Sequence, residues 1–156
     1  TGFRQGSISC PGRELPEYKA VWKGAFPYAH HVHPNFRLIC GNLDFYEIPI
    51  TADRDRRTSH LQGKSPMEIR IEWGNAEDHF LTIKKTISEM IKKNIPVKTL
   101  VAVTHNYFDY KDKREPKRKV LEQVADYLWQ ITSELHLELR SIPFSQLHEI
   151  VDEGKI

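Results

Sequence analysis

Only two cysteines, Cys10 and Cys40, occur in the 156 residues of this chain. They have neither C-x-x-C spacing nor the company that a zinc cage or a disulfide framework needs, so neither organises the fold. Charge of one sign is not in excess: 23 Lys and Arg against 21 Asp and Glu leave a formal charge of +2. So small a surplus gives no reason to expect nucleic acid or an acidic membrane surface as a partner. The densest basic run, residues 111–119, is broken by Asp112, Glu115 and Pro116 and reads as a solvated loop entering a helix. No apolar run approaches the ~18–20 residues that a bilayer-spanning helix requires. A Gly-rich phosphate loop, a nucleophile elbow, heptads, internal repeats and low-complexity segments are all missing.

What is there is an ordinary globular balance, 39% hydrophobic and 28% charged, in a length suited to one domain spanning residues 1–156. The first forty residues are rich in Pro, Gly and aromatics and weak in periodicity. A brief helix over 14–21, flowing into a short strand near Ala20, is expected there, then a loop over 23–35. Strands over 36–40 and 43–50 are separated by the turn signal Gly41-Asn42. Residues 53–65 are charged and turn-rich and read as an exposed, mobile loop. Met67, Ile69, Ile71 and Trp73 alternate with Glu68, Arg70 and Glu72, which predicts a half-buried strand with a solvated polar face.

The second half alternates in a different way. Phe80, Ile83, Ile87, Met90 and Ile91 recur at three- and four-residue steps, predicting a helix over 77–94 that Asn94 and Pro96 end. A β-branched strand over 97–103 follows. Pro116 opens a second helix with Val120, Leu121, Val124, Leu128, Ile131 and Leu135 on its inner face. A strand over 136–142 and a helix over 144–152 close the chain. Helix–strand alternation of this kind predicts an α/β domain with right-handed crossovers and a parallel sheet.

Chemistry concentrates at a few positions. His105 ends the strand Leu100-Val101-Ala102-Val103-Thr104, where a side chain can face a cleft and serve as general acid or base. Arg4, in Phe3-Arg4-Gln5-Gly6, can hold a carboxylate through two parallel hydrogen bonds, and Gly6 permits a sharp turn after it. His30, His31 and His33 cluster between Pro27 and Pro34, in a stretch that reads as loop. Trp22, Tyr28, Trp73, Tyr107, Phe108 and Tyr110 lie in or beside loops, where aromatic rings can form platforms for sugars. Glu68 and Glu72, with Asp44 and Glu47 upstream, can also be read as carboxylates of a Mg²⁺-dependent nuclease.

Four stretches together resemble the carboxyl half of the polysaccharide deacetylase family. Phe3-Arg4-Gln5-Gly6 resembles its arginine motif. Leu43-Asp44-Phe45-Tyr46-Glu47-Ile48-Pro49-Ile50-Thr51 resembles its Glu-Ile-Pro strand. Val101-Ala102-Val103-Thr104-His105 resembles its late histidine motif, and Pro143-Phe144-Ser145-Gln146-Leu147 its closing segment.

The resemblance implies part of a distorted (β/α) barrel that hydrolyses N-acetyl groups on amino-sugar polymers. A divalent metal, zinc or similar, would polarise the acetyl carbonyl and activate water in the intact parent. Arg4 would orient the aspartate base, and His105 would protonate the leaving amine. Trp22 is the nearest candidate for the family's tryptophan, and Tyr107 for a sugar platform. The family's aspartate pair and His-x-x-x-His metal motif precede the arginine motif and have no counterpart in these residues. The chain is therefore expected to be half of a longer domain, associating with its amino-terminal half or with another copy. Three readings stand: a deacetylase acting on N-acetylated glycans, a non-catalytic carbohydrate-binding or degenerate module, and a nuclease-like domain.

Overall fold

The computed structural model of the protein describes residues 4–152. Phe3 of the arginine motif lies outside them. The described residues form a mixed arrangement of helix and short strands, and no closed barrel is made among them.

Two amphipathic helices carry the second half. Helix α1 (Ala76–Lys92) starts at Asn75, whose side chain accepts the amide of Asp78 at 2.9 Å, with Glu77 and Asp78 on the positive end of the helix dipole. It stops where Asn94 adopts a left-handed conformation, φ 50°. Helix α2 (Pro116–Glu134) has its proline at the first position and the Glu115 side chain accepting the amide of Lys117. The buried stripe of α1 is His79, Thr82, Ile83, Ile87 and Met90. The apolar periodicity places Ile91 on that face, yet it is exposed, and two polar residues share the interior in its place. Val124 and Ile131 of α2 join the α1 stripe in one core with Tyr28, Ile69 and Ile71, and Phe80 stacks on Tyr127.

The strands are shorter than their sequence signals. Strands β1 (Gln5–Gly6) and β5 (Tyr46–Glu47) pair in parallel, and β4 (His30–His31) joins β5 antiparallel. Gly6 is required by close approach rather than by a turn, since a Cβ there would sit 2.8 Å from the Phe45 ring. The helix expected over 14–21 is instead a hairpin. Strands β2 (Glu14–Leu15) and β3 (Ala20–Val21) flank a single 3₁₀ turn, Pro16–Tyr18, which Lys19 closes at φ 54°. Residues 36–40 form turns and leave Phe36 and Ile39 exposed.

The largest difference lies over 52–68. Strand β6 (Ala52–Arg57) pairs antiparallel with β7 (Pro66–Glu68), where an exposed loop is expected. Asp53, Thr58 and Ser65 are buried. The strand has no apolar period because ion pairs hold its inner positions: Asp53 accepts from Arg56 at 2.8 Å and from Lys85 of α1 at 2.5 Å. Burial alone would push the Asp53 carboxyl up, but those two cations and the Asp55 amide hold it below its ordinary range.

Beyond β7 the chain continues as the centre of the molecule. Ile69 donates to Thr51, Val103 to Ile69, and Ile71 to Val103, so residues 69–71 and 101–103 run in parallel, with an Arg70–Val103 bridge. Residues 136–142, expected as the next strand, form no ladder with any of the described residues. A cavity of about 750 Å³ is lined by both this segment and residues 97–101. The chain ends in a 3₁₀ turn (Phe144–Gln146) and helix α3 (Leu147–Asp152). Gln5 ties this end to β1, donating to the Phe144 carbonyl and accepting the His148 amide. No helix among the described residues is long and apolar enough to cross a membrane.

Candidate functional site

The strand expected over 67–73 stops at Glu68. Arg70 sits at the bridge to Val103, and residues 71–73 form a turn in which the Trp73 amide donates to the Arg70 carbonyl. Glu68, Arg70 and Glu72 make one polar surface through their contacts with each other and with His105. Expected as a solvated face, it is interior: Glu68 is 1% and Arg70 8% exposed, and the Glu72 side chain is 4% exposed. The opposite face, Ile69 and Ile71, is buried against the helices. A segment buried on both sides must neutralise its polar side chains internally, and these three do so with one another and with two neighbouring loops.

Glu68 is clamped by guanidinium groups. Arg13 approaches one oxygen at 2.6 Å and Arg70 the other at 3.1 Å, and Ser65 donates to the first at 3.2 Å. Both oxygens are engaged by cations of this chain. Asp53 pairs in register with Met67 and therefore faces away from Glu68 across the β6–β7 ladder.

Glu72 faces the loop that carries the late histidine. Its Oε1 accepts the His105 amide at 2.5 Å and the Thr104 hydroxyl at 2.7 Å, and the Tyr110 hydroxyl lies 3.4 Å away. Tyr110 and Thr104 also share a hydrogen bond. Burial pushes the Glu72 carboxyl up, but the Thr104 hydroxyl and the His105 amide outweigh it and hold the acid below its usual range. Its second oxygen, Oε2, is buried and has no hydrogen-bond partner among the described residues.

His105 stands between these charges. Its Nδ1 is 3.6 Å from Glu72 Oε1, and its Nε2 is 3.4 Å from a terminal nitrogen of Arg70. Tyr107, itself 69% exposed, stacks on the imidazole with centroids 5.0 Å apart. The Arg70 guanidinium lies 4.4 Å over the ring of Trp73, on which His60 also stacks at 5.3 Å. The arrangement is a half-open imidazole with a buried carboxylate on one side, a buried guanidinium on the other and an exposed aromatic wall. It can hold or pass a proton at a defined position.

The other candidates lie in separate settings. Arg4, at the start of β1, donates to Asp44 at 3.1 Å. The loop after β1 is fixed instead by Glu47, which accepts the amides of Ile8 and Ser9 and the Ser9 hydroxyl. Trp22 belongs to the β2–β3 hairpin region, with Arg37 4.7 Å over its ring. The tryptophan that meets the His105 cluster is Trp73. His30 and His31 donate from Nδ1 to the carbonyls of Tyr28 and Leu43, and His33 accepts the Asn35 amide.

Reading residues singly missed Glu72, Arg70 and Trp73 as companions of His105. The available signal was their common alternation, which extends to the position level with Val103. Among the described residues no three His, Cys, Asp or Glu side chains lie together as metal ligands. The deacetylase resemblance would place the ligands of its divalent metal before the arginine motif, and the chemistry of the His105 site is that of its own side chains. Comparison with protein families, curated proteins and solved structures finds no match for the chain.

Proposed function

We propose that the chain is part of a polysaccharide deacetylase-like α/β barrel and contributes the proton-transfer side of amide hydrolysis on N-acetylated amino sugars. The observation that carries the reading is the Glu72–His105–Tyr107 arrangement at the end of the 101–103 segment. Residues at carboxyl ends of barrel strands face the reaction.

In this mechanism His105 hands a proton to the nitrogen of the breaking C–N bond, so that it departs as an amine. The ionised Glu72 carboxylate stabilises the imidazolium before that transfer, and its bond to the His105 amide fixes the ring's backbone. The exposed Tyr107 ring offers a flat apolar wall for the C–H face of a pyranose. Water activation falls to groups outside the described residues, supplied by an amino-terminal half or a second copy.

The test is acetate release from N-acetylglucosamine oligomers by the full-length parent protein. His105→Ala is expected to lower turnover by about 10²–10⁴-fold with the fold retained, and Tyr107→Ala to raise KM. An unchanged rate in His105→Ala removes the histidine from the mechanism. Oligomer binding that survives His105→Ala but not Tyr107→Ala, with no acetate released by either protein, replaces the enzyme with a carbohydrate-binding module. That alternative draws on the same exposed Tyr107 ring.

A further inference from the structure

We infer that Arg70 is a positioning residue that selects the tautomer of His105, placing the proton of the neutral ring on Nδ1 and its lone pair on Nε2. A guanidinium has five donors and no acceptor and stays charged at every accessible pH. The Arg70 nitrogen 3.4 Å from His105 Nε2 can therefore only donate, and Nε2 must accept. On the other side of the ring, Nδ1 is buried without a hydrogen-bond partner among the described residues. The nearest charge is a carboxylate oxygen of Glu72 at 3.6 Å, an electrostatic neighbour rather than a bonded one. An ionised carboxylate only accepts, so the proton belongs on Nδ1. Both neighbours prescribe the same tautomer, which is the opposite of the one a free imidazole side chain favours.

Arg70 is built to keep this position. Its side chain is 10% exposed, its other terminal nitrogen is bound to Glu68 at 3.1 Å, and its plane rests on Trp73. Glu68 is in turn anchored by Arg13 and Ser65. The order Arg13–Glu68–Arg70–His105 is thus a row of alternating donors and acceptors that ends on the imidazole. A side chain that merely neutralised Glu68 would have no reason to reach Nε2 as well.

The consequence for chemistry rests on the deacetylase reading, whereas the tautomer does not. With Nε2 facing a donor, a proton placed there would set two N–H groups against each other. Loading His105 at Nε2 therefore favours displacement of the guanidinium, so a polar substrate group that engages Arg70 would release the histidine for its role.

The tautomer is read directly from long-range ¹H–¹⁵N spectra of the uniformly labelled chain. The measurement is made near pH 8.5, where an ordinary imidazole is neutral, and the His105 signals are assigned by their loss in His105→Gln. The expected wild-type pattern has a protonated, pyrrole-like Nδ1 and an unprotonated, pyridine-like Nε2. Arg70→Lys, which keeps a donor, should preserve that pattern, and Arg70→Met should shift it toward protonated Nε2. A wild-type ring with its proton on Nε2 overturns the inference, even if Arg70→Met fails to fold. So does a pattern that Arg70→Met leaves unchanged. Either result leaves acetate release and its dependence on His105 untouched, and loss of that dependence leaves the tautomer assignment standing.

Discussion

Glu72 Oε1 accepts the backbone amide of His105 at 2.5 Å, so the carboxylate grips the main chain of the residue whose side chain it also faces. A buried acid in the turn after Arg70 thereby fixes where the histidine enters its loop. The same oxygen takes the Thr104 hydroxyl, which makes Glu72 the hub of the loop's first turn.

Removing that hub should be costly. Glu72→Ala strips the acceptor from the Thr104 hydroxyl, the Tyr110 hydroxyl and the His105 amide, and unmade hydrogen bonds to a buried charge predict a loss of about 3 kcal/mol. Glu72→Gln retains an oxygen and should lose about 1 kcal/mol. Urea unfolding at neutral pH measures both. Because the folded state holds the carboxyl below its ordinary range, the contribution is complete above the unfolded value and disappears as pH falls through the folded one. The gap between wild type and Glu72→Gln should therefore close in acid. A Glu72→Ala protein as stable as wild type would show that the loop does not depend on this carboxylate.

His79 makes a second pH-dependent element, with the window set by an imidazole. It is fully buried in the first turns of α1, its two ring nitrogens have no hydrogen-bond partner among the described residues, and Gly74 packs tightly on it. Burial pulls its pKa down, helped by Lys117 and Arg56 and opposed by Asp78 and Glu72. The unfolded chain binds the proton near the ordinary value of about 6.5 and the folded one resists it, so stability is complete above that pH and is lost as pH falls toward the folded value. In thermal unfolding between about pH 7 and pH 5, the difference between His79→Leu and wild type should move steadily in favour of the variant. A constant difference would mean that His79 titrates alike in both states.

The two thiols should differ in reactivity. Cys10 is completely buried, and burial, with Glu68 adding to it, pushes its pKa up to about 12. Cys40 is exposed, although partial burial of its sulfur raises its pKa too. A thiol reagent applied to the native protein should modify Cys40 alone, and Cys10 should react only after unfolding in guanidinium, since the thiolate is the nucleophile. Rapid native labelling of both cysteines would contradict the placement of Cys10.

The sequence by itself determined the two long helices, because their apolar residues repeat at the helical period and their ends carry Asn94, Pro96 and Pro116. It also determined that His105 closes an apolar stretch, and that Ile69 and Ile71 share a buried face. Tertiary structure alone decided the rest. The charged segment over 52–57 is a strand because Arg56 and Lys85 neutralise Asp53, and ionic pairing leaves no trace in hydrophobic periodicity. Glu68, Arg70 and Glu72 read as a solvated face because polar alternation looks the same whether water or counter-charges satisfy it. Arg13, 55 residues before Glu68, and His105, 35 after Arg70, supply what water would otherwise provide. Contacts at such separations form only when the chain folds, and they turn a line of charged residues into the surroundings of one histidine.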